Sequence, residues 1–379
     1  MNILVLNWQD IRHPLAGGAE THLHEIFRRV AAAGHAVTLY SSHFEGAKER
    51  EILDGITVLR EGTRNVFNAY VPKRYLRQFR HENYDVVIDD INKIPFFTPL
   101  YVRKPLLAIA HHFFGKSIFT EAGMLAGSYV YAAEQAMFRV YKQTPFAVVS
   151  ESTREELLGH GFPAGNLSIL PNCIAHEQFP FAVQEKPAHP VITYFGRLKR
   201  YKSPHHLLEA YSLLKHEFPT AEVRIIGKGD AEQEIRALAA RLGIAENVRF
   251  YGFIAEEEKA GLLGSSHCVV NPSMKEGWGI INIEANACGT PVIAANVPGL
   301  RDAVQHEVSG LLYDYGDIPT LAELLRRVLT DTALQTRLAH GAIGFARQFN
   351  WDDSALKIIK RVEELVMLPP TRLFREEDR

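Results

Sequence analysis

Short apolar runs rich in β-branched residues alternate with amphipathic segments along almost the whole chain. The first run, residues 3–6, leads into a loop that contains a Gly-Gly pair. The next segment places its apolar residues on one helical face: Leu23, Ile26, Phe27 and Val30. Gly34 follows as the predicted C-terminal cap of that helix. Because parallel strands need a helical crossover between them, the alternation predicts an α/β fold of doubly wound parallel sheets.

A polar, proline-containing passage at residues 184–190 interrupts the alternation and predicts a linker. The predicted strands are residues 3–6, 36–40, 85–88, 106–110 and 147–149 before it, and 191–195, 222–226, 248–251, 268–271, 291–295 and 311–313 after it. We therefore expect an N-terminal domain at 1–185 and a C-terminal domain at 186–350. A helix at 351–366 is expected to cross back to the N-terminal domain, with fraying beyond Leu368-Pro369-Pro370. Two such domains place the default ligand site in a cleft between them.

Composition limits the classes of function that fit this chain. Its 379 residues carry a formal net charge of −2, so nucleic acid is not an expected partner. The three cysteines, Cys173, Cys268 and Cys288, show no C-x-x-C spacing, so we expect neither a disulfide framework nor a metal site. The first ten residues, MNILVLNWQD, lack a basic leader, and no stretch reaches the length of a membrane span. These features predict a cytoplasmic protein.

One stretch, VPKRYLRQFRHE, combines cations with apolar residues in a helix predicted to start at Pro72. Its cations are Lys73, Arg74, Arg77 and Arg80. A basic amphipathic helix is typical of peripheral contact with an anionic membrane, here at the inner face. The alternative interpretation is a solvated helix face whose apolar side lies in the core.

The segment KEGWGIINIEANACGTPVIAAN, which begins at Lys275, carries two glutamates eight positions apart. Glu276 falls in the loop after a predicted strand, at the strand end where open α/β sheets bind ligands. Glycines on either side of position 278 let the backbone approach a ligand, and the amides at the start of the following helix favour a phosphate. Glu284 could accept hydrogen bonds from ribose hydroxyls, and Glu276 from a sugar hydroxyl. The alternative is a solvent-facing loop acid and a helix acid paired with an arginine.

This segment resembles the E-x7-E element of the retaining glycosyltransferases of family 4, whose usual form is E-G-F-G…E-A…A-C-G-T-P-V. Trp278 in place of Phe and Asn286 in place of Met are departures from that form. The resemblance implies the GT-B fold, in which two Rossmann-like domains face each other across a cleft. The segment YFGRLKRYKSPHHLLEAY is similar to the family's G-R-L-x3-K-G, with Ser203 in place of the last glycine. PNC at 171–173 stands where P-N-G is usual.

The family's functional residues fall on matching positions of this sequence. Arg197 and Lys202 match the cations that grip the donor diphosphate, and their alternative interpretation is a solvated helix start. His111, in KPLLAIAHHFFG, matches a histidine near the donor sugar, with His112 left open as the alternative. The implied catalytic set is His111, Arg197, Lys202 and Glu276. The implied donor-binding set is Gly17, Gly18, Gly196, Gly227, Phe253, Gly277, Trp278, Gly279, Ile280 and Glu284.

The resemblance implies transfer of a hexose-type sugar from a nucleoside diphosphate donor to a hydroxyl acceptor, with retention of configuration. A UDP-sugar is the favoured donor and GDP-mannose the alternative; the acceptor is expected in envelope glycan, polysaccharide or glycolipid synthesis. Double displacement would need a carboxylate nucleophile, whereas the family is described as using front-face substitution without a metal or cofactor. Two other functions are left open: a sugar-nucleotide epimerase of the same fold, and a non-catalytic sugar-nucleotide-binding protein.

Overall fold

The structure, a computed structural model, describes residues 1–92, 94–121 and 123–367. Its contacts divide the chain into two compact units: Met1–Pro171 together with the chain from Trp351 onward, and Asn172–Asn350. The division falls earlier than the predicted boundary at residue 185, because the connecting segment packs on the second unit. A Cβ atom on Gly289, for example, would lie 2.7 Å from Val183 Cα and 3.0 Å from the Ala182 carbonyl oxygen.

In the described residues of the first unit, an eight-stranded sheet has the order β3-β4-β2-β1-β5-β6-β7-β8. The strands are β1 Asn2–Leu6, β2 Ala36–His43, β3 Arg50–Leu53, β4 Ile56–Thr63, β5 Val86–Ile91, β6 Leu106–Ala110, β7 Phe146–Val148 and β8 Leu167–Ile169. Every neighbouring pair is parallel except β3 and β4. That antiparallel pair, absent from the sequence prediction, turns at Asp54 and Gly55, whose φ values are 47° and 85°. An Asp-Gly pair is a hairpin signal because both positions of such a turn need positive φ.

The helices of the first unit before its connection to the second are α1 Gly18–Ala32, α2 Phe67–Arg77, α3 Ile118–Glu121, α4 Met124–Val140 and α5 Glu151–Gly159. The prediction that a helix starts at Pro72 was wrong, since α2 begins at Phe67 and contains Pro72 in its interior. Phe67, Val71 and Tyr75 are buried at a spacing of four residues. Burial of this continuous apolar face stabilises the helix across the proline, which removes one backbone hydrogen bond.

The second unit contains, within the described chain, a six-stranded parallel sheet with the order β11-β10-β9-β12-β13-β14. The strands are β9 Val191–Phe195, β10 Glu222–Ile226, β11 Val248–Gly252, β12 Cys268–Asn271, β13 Val292–Ala295 and β14 Gly310–Tyr313. The helices are α6 Pro204–Leu214, α7 Glu232–Arg241, α8 Glu256–Gly264, α9 Ile280–Ala287, α10 Ile318–Thr330 and α11 Thr332–Ala346. The bounds of β9, β10 and β12 are those predicted from the sequence.

The loops that follow β9 and β10 pack backbone against backbone. A Cβ atom on Gly227 would lie 2.0 Å from the Gly196 carbonyl oxygen, and one on Gly229 would lie 2.0 Å from the Leu198 carbonyl oxygen. Gly227 also has a φ of 126°, which side chains rarely allow. These two glycines therefore fix the path of the β9–α6 loop, which carries Arg197.

The last helix, α12 (Trp351–Met367), belongs to the first unit and packs on α1. Arg29 of α1 donates to Asp352 of α12 across this contact. The expectation of fraying beyond residue 370 concerns residues outside the described part of the chain. Among the described helices, none is both long and apolar enough to cross a lipid bilayer.

Helix α11 packs on α9 and contains two glycines, Gly341 and Gly344, that differ in the space around them. A Cβ atom at Gly341 would lie 2.0 Å from the Val308 carbonyl oxygen, whereas one at Gly344 would meet nothing within 4 Å. We expect Gly341→Ala to lower the free energy of unfolding by about 1–3 kcal/mol, because α11 must move away from a backbone atom. Gly344→Ala should raise it by about 0.5–1 kcal/mol through helix propensity. Urea denaturation of the two variants measures both effects, and shifts of the same sign would contradict the packing described.

Candidate functional site

Arg197 lies directly after β9, at the carboxyl end of a central strand of the second unit. Its backbone is held by the Tyr194 hydroxyl, which donates to the Arg197 carbonyl at 2.9 Å. Its side chain is exposed, and its Nη2 donates to the Tyr201 hydroxyl at 3.2 Å. The guanidinium therefore stands at the strand end where ligands bind in open α/β sheets.

Lys202 ends a short 3-10 turn, Arg200–Lys202, rather than starting an exposed helix. Its Nζ forms an ion pair with Glu276, from the loop that follows β12. The two side chains are only 12% and 20% exposed. The Ser273 hydroxyl lies 3.3 Å from the same Glu276 oxygen and 2.9 Å from Asn271 Oδ1, so its single proton is shared between two acceptors. Thus one predicted cation and the first glutamate of the E-x7-E element meet, although 74 positions separate them in the chain.

The loop that carries Glu276 ends at the amino end of α9. Gly279 has a φ of 85° and precedes Ile280, the first residue of the helix. A Cβ atom on Gly279 would lie 2.7 Å from Leu300 Cδ2, so both conformation and space require glycine there. Gly299 packs closely against the same loop, since a Cβ atom on Gly299 would lie 2.2 Å from the Glu276 carbonyl oxygen. The sequence analysis missed Gly299, although its Pro-Gly pair is a turn signal.

The second glutamate, Glu284, lies on α9 and is 8% exposed. Burial raises its pKa, and this effect is partly offset by Lys259, whose Nζ donates to Glu284 Oε1 at 3.0 Å. The same ammonium donates to Glu256 Oε1 at 2.6 Å, and these carboxylates hold the Lys259 pKa above its usual value against the opposing effect of burial. The structure thus pairs the helix acid with a lysine of α8, which the sequence analysis missed.

The remaining predicted donor-binding residues of the second unit lie in different surroundings. Trp278 is 5% exposed and packs edge-on against Phe349, with ring centroids 5.2 Å apart, so its ring is a core group. Phe253, which follows β11, is 84% exposed. An exposed ring at a strand end can stack on a planar ligand such as a base. Gly277 is half-buried in the loop before Trp278.

In the first unit, His111 follows β6 and is nearly fully buried. Its Nε2 lies 3.0 Å from Asp90 Oδ1, on the neighbouring strand β5. Burial by itself lowers the pKa of His111, but the charge and hydrogen bond of Asp90 outweigh it and raise the pKa above its usual value. His112, the open alternative, packs its ring against Phe114 at a centroid distance of 4.7 Å. His111 therefore shares a buried ion pair with a carboxylate.

A second buried histidine contacts His111. The His22 ring lies edge-to-face on it at a centroid distance of 5.1 Å, and His22 Nε2 lies 3.1 Å from the Leu170 carbonyl oxygen. Burial and the charge of His111 hold the His22 pKa well below its usual value. His22 is therefore neutral where His111 is charged, and it donates its Nε2 proton to Leu170.

The Gly17-Gly18 pair opens α1 in the same unit. The Gly17 amide donates to Glu20 Oε2 at 2.7 Å, so this predicted anion-binding amide has an internal acceptor. Glu20 is buried, and burial raises its pKa although the Gly17 amide opposes the shift. Its other oxygen accepts from Asn92 Nδ2 at 3.3 Å. Glu20 caps α1 and was missed by the sequence analysis, although an acid three residues after the cap is a helix-start signal.

Comparisons with known proteins were made for the whole chain. The family described as "Glycosyltransferase Family 4" matches residues 16–178, and the one described as "Glycosyl transferases group 1" matches residues 176–344. The chain is 35% identical over 185 residues to D-inositol 3-phosphate glycosyltransferase from Salinispora arenicola, a match that covers 46% of this chain and 41% of that protein. The same-named protein from Jonesia denitrificans is 37% identical over 180 residues, covering 46% and 42%. The chain thus aligns with less than half the length of these relatives.

Similar solved structures cover nearly the whole chain. Sucrose-phosphate synthase from Thermosynechococcus elongatus has a TM-score of 0.76 at 20% identity and covers 96% of this chain and 98% of that chain. A glycosyltransferase from Rickettsia africae has a TM-score of 0.77 at 17% identity, with coverage of 97% and 99%. HepE from Anabaena, solved in complex with UDP, has a TM-score of 0.73 at 20% identity, with coverage of 96% and 100%. These likenesses confirm the predicted GT-B fold.

The pairing of His111 with Asp90 predicts how this histidine titrates. Because its folded pKa is raised, the ion pair stabilises the fold fully below the unfolded value of about 6.5, and this contribution is lost as pH rises through the folded pKa. We expect Asp90→Asn to lower the His111 pKa below about 6.5, since burial then dominates. NMR titration of the imidazole signals measures the shift. Asp89→Asn is the matched control, because Asp89 binds Tyr141 on the other face of β5, and an equal shift there would contradict the assignment.

Proposed function

This chain belongs to glycosyltransferase family 4 and has the GT-B fold, and on that premise we propose that it moves a hexose-type sugar from a nucleoside diphosphate to a hydroxyl acceptor. The observation that carries the proposal is the arrangement around Lys202. This cation, Arg197 and the loop before α9 converge at the carboxyl ends of strands in one sheet. Two cations beside a helix amino end form a site suited to a diphosphate.

The proposed chemistry uses these groups to stabilise the leaving group. As the bond between the sugar and the diphosphate breaks, negative charge grows on the phosphate oxygens, and Arg197 and Lys202 offset it. Lys202 exchanges part of its contact with Glu276 for the phosphate, which frees Glu276 to accept a hydrogen bond from a sugar hydroxyl. Glu284 accepts from the ribose hydroxyls, and the role of His111 near the donor sugar stays a prediction from the family resemblance. We propose retention of configuration by front-face substitution, with no metal or cofactor required.

UDP is the proposed nucleotide, and GDP is the alternative. Structures of the similar HepE in complex with UDP and with UDP-glucose support this choice. The names of the curated relatives support a glycosyl transfer. The chain aligns with less than half the length of each relative. We propose a saccharide or glycolipid hydroxyl as the acceptor, in keeping with envelope glycan, polysaccharide or glycolipid synthesis.

We also propose peripheral contact of the first unit with an anionic membrane. On α2 and just after it, Tyr75 and Phe79 are buried, as the alternative interpretation required, but Lys73, Arg77 and Arg80 are exposed. The amino end of α4 adds two strongly exposed apolar side chains: Met124 is 81% exposed and Leu125 is 91% exposed. Asn68 of α2 and Tyr129 of α4 approach within 3.4 Å, so the two helices are neighbours. The two helices thus expose both cations and apolar side chains, a combination that suits an anionic lipid surface.

The donor site is tested by binding and turnover. A thermal-shift screen of UDP, GDP, ADP and their sugars identifies the donor, because a ligand that binds only the folded state raises the melting temperature. With that donor, Arg197→Ala and Lys202→Ala should each slow transfer by about 10²–10³-fold, since each removes a charge that stabilises the leaving group. Initial rates of nucleotide release in the presence of acceptor measure the effect.

Two neighbouring cations supply matched controls. Lys199 pairs with Asp230 and Arg200 pairs with Glu234, both at the surface, so their replacement by alanine should leave the rate within about two-fold of the unchanged protein. Unchanged turnover in Lys202→Ala and Arg197→Ala would refute the site. Conversion of the donor to an epimer without an acceptor would favour the epimerase, and binding with only background turnover would favour the non-catalytic protein.

The membrane proposal predicts that the protein pellets with phosphatidylglycerol vesicles and not with phosphatidylcholine vesicles. Replacing Lys73, Arg77 and Arg80 together by serine should weaken partitioning by about 100-fold, at about 1 kcal/mol for each cation. The control replaces Lys357 and Lys360, exposed cations of α12 in the same unit, and should leave partitioning unchanged. Equal loss in both variants would indicate nonspecific attraction by net charge.

A further inference from the structure

One tyrosine touches both cations of the proposed diphosphate site. The Tyr201 hydroxyl accepts a hydrogen bond from Arg197 Nη2 at 3.2 Å. The Lys202 ammonium lies over the Tyr201 ring, 5.3 Å from its centroid. Two positive side chains thus contact different parts of one aromatic group, one its edge and the other its face.

Tyr201 is itself held in place by the loop that bears Glu276. Its carbonyl accepts a hydrogen bond from the Met274 amide at 2.8 Å, and Met274 lies between Ser273 and the E-x7-E element. The ring is half-buried and belongs to the 3-10 turn that also contains Lys202. The backbone of Tyr201 is therefore held by the loop that bears Glu276, and its side chain contacts Arg197 and Lys202.

The two cations differ in how else they are restrained. Lys202 has the Glu276 carboxylate as a partner, whereas no carboxylate within the described residues forms an ion pair with the exposed Arg197. A long, exposed guanidinium without such a partner samples many rotamers, and ordering it on binding costs conformational entropy. The Tyr201 hydroxyl offers Arg197 a fixed acceptor, and the electron-rich ring face offsets the nearby positive charge of Lys202.

We infer that Tyr201 is a positioning residue that sets the spacing of Arg197 and Lys202 for a diphosphate. The inference rests on the proposed function and assigns Tyr201 no contact with the reacting atoms. The hydroxyl and the ring of Tyr201 have separate effects. The hydroxyl acts through Arg197, and the ring acts through Lys202.

A set of double-mutant cycles separates these parts, with UDP as the probe and calorimetric titration as the measurement. Tyr201→Phe should weaken UDP binding by about five-fold, the value of one hydrogen bond of about 1 kcal/mol. Tyr201→Leu should weaken it by about a further three-fold through loss of the cation–π contact. In an Arg197→Ala background, Tyr201→Phe should have no further effect. In a Lys202→Ala background, the Phe and Leu variants should bind UDP equally.

Tyr211→Phe is the control, because it removes a tyrosine hydroxyl bonded to the Phe218 carbonyl elsewhere in the same unit, and it should bind UDP normally. A merely structural role for Tyr201 would give equal losses in every background, which would overturn the inference. So would unchanged binding in Tyr201→Phe while Arg197→Ala and Lys202→Ala bind weakly. If those two alanine variants themselves bind UDP normally, the proposed function fails instead. Should Tyr201→Leu not fold, the Phe variant in the Arg197→Ala background still decides.

Discussion

The ion pair between Lys202 and Glu276 joins two loops at the carboxyl ends of strands in the sheet of the second unit. It ties the loop after β9 to the loop before α9, and both side chains are largely buried. Removing two charges from water is costly, and their attraction offsets that cost only when further hydrogen bonds satisfy the remaining atoms. The Ser273 hydroxyl lies 3.3 Å from the Glu276 oxygen that Lys202 binds. Because the glutamate backbone also rests on Gly299, the carboxylate is fixed by the fold and the lysine is aligned on it.

The same physical device recurs in the first unit, where Asp90 holds His111 at the carboxyl end of neighbouring strands. In each unit a carboxylate orients a cationic side chain. A neutral His22 favours the pairing of His111 with Asp90, since a charged His22 ring at a centroid distance of 5.1 Å from His111 would oppose it.

The local parts of this architecture followed from the sequence, and the long-range pairs did not. The strand–loop–helix unit from β12 to α9 was predicted because alternation, glycines and a helix-ending Gly-Thr-Pro are all local signals. The partners of the two glutamates lie 74 and 25 positions away, so no periodicity reveals them. The wrong start of α2 has a similar cause. Pro72 is a local signal for a helix start, and burial of Phe67 and Val71 in the core overrides it.

Two departures from the family pattern, Ser203 and Asn286, form local side-chain hydrogen bonds. Ser203 occupies the place of a glycine with a φ of 51°, a conformation that costs a residue with a side chain about 1–2 kcal/mol. Its hydroxyl lies 2.9 Å from the Tyr315 hydroxyl, and this hydrogen bond offsets part of the cost. Asn286, in place of Met, donates from Nδ2 to the Asn282 carbonyl at 2.7 Å within α9. Each exchanged side chain thus has a hydrogen-bond partner in the second unit.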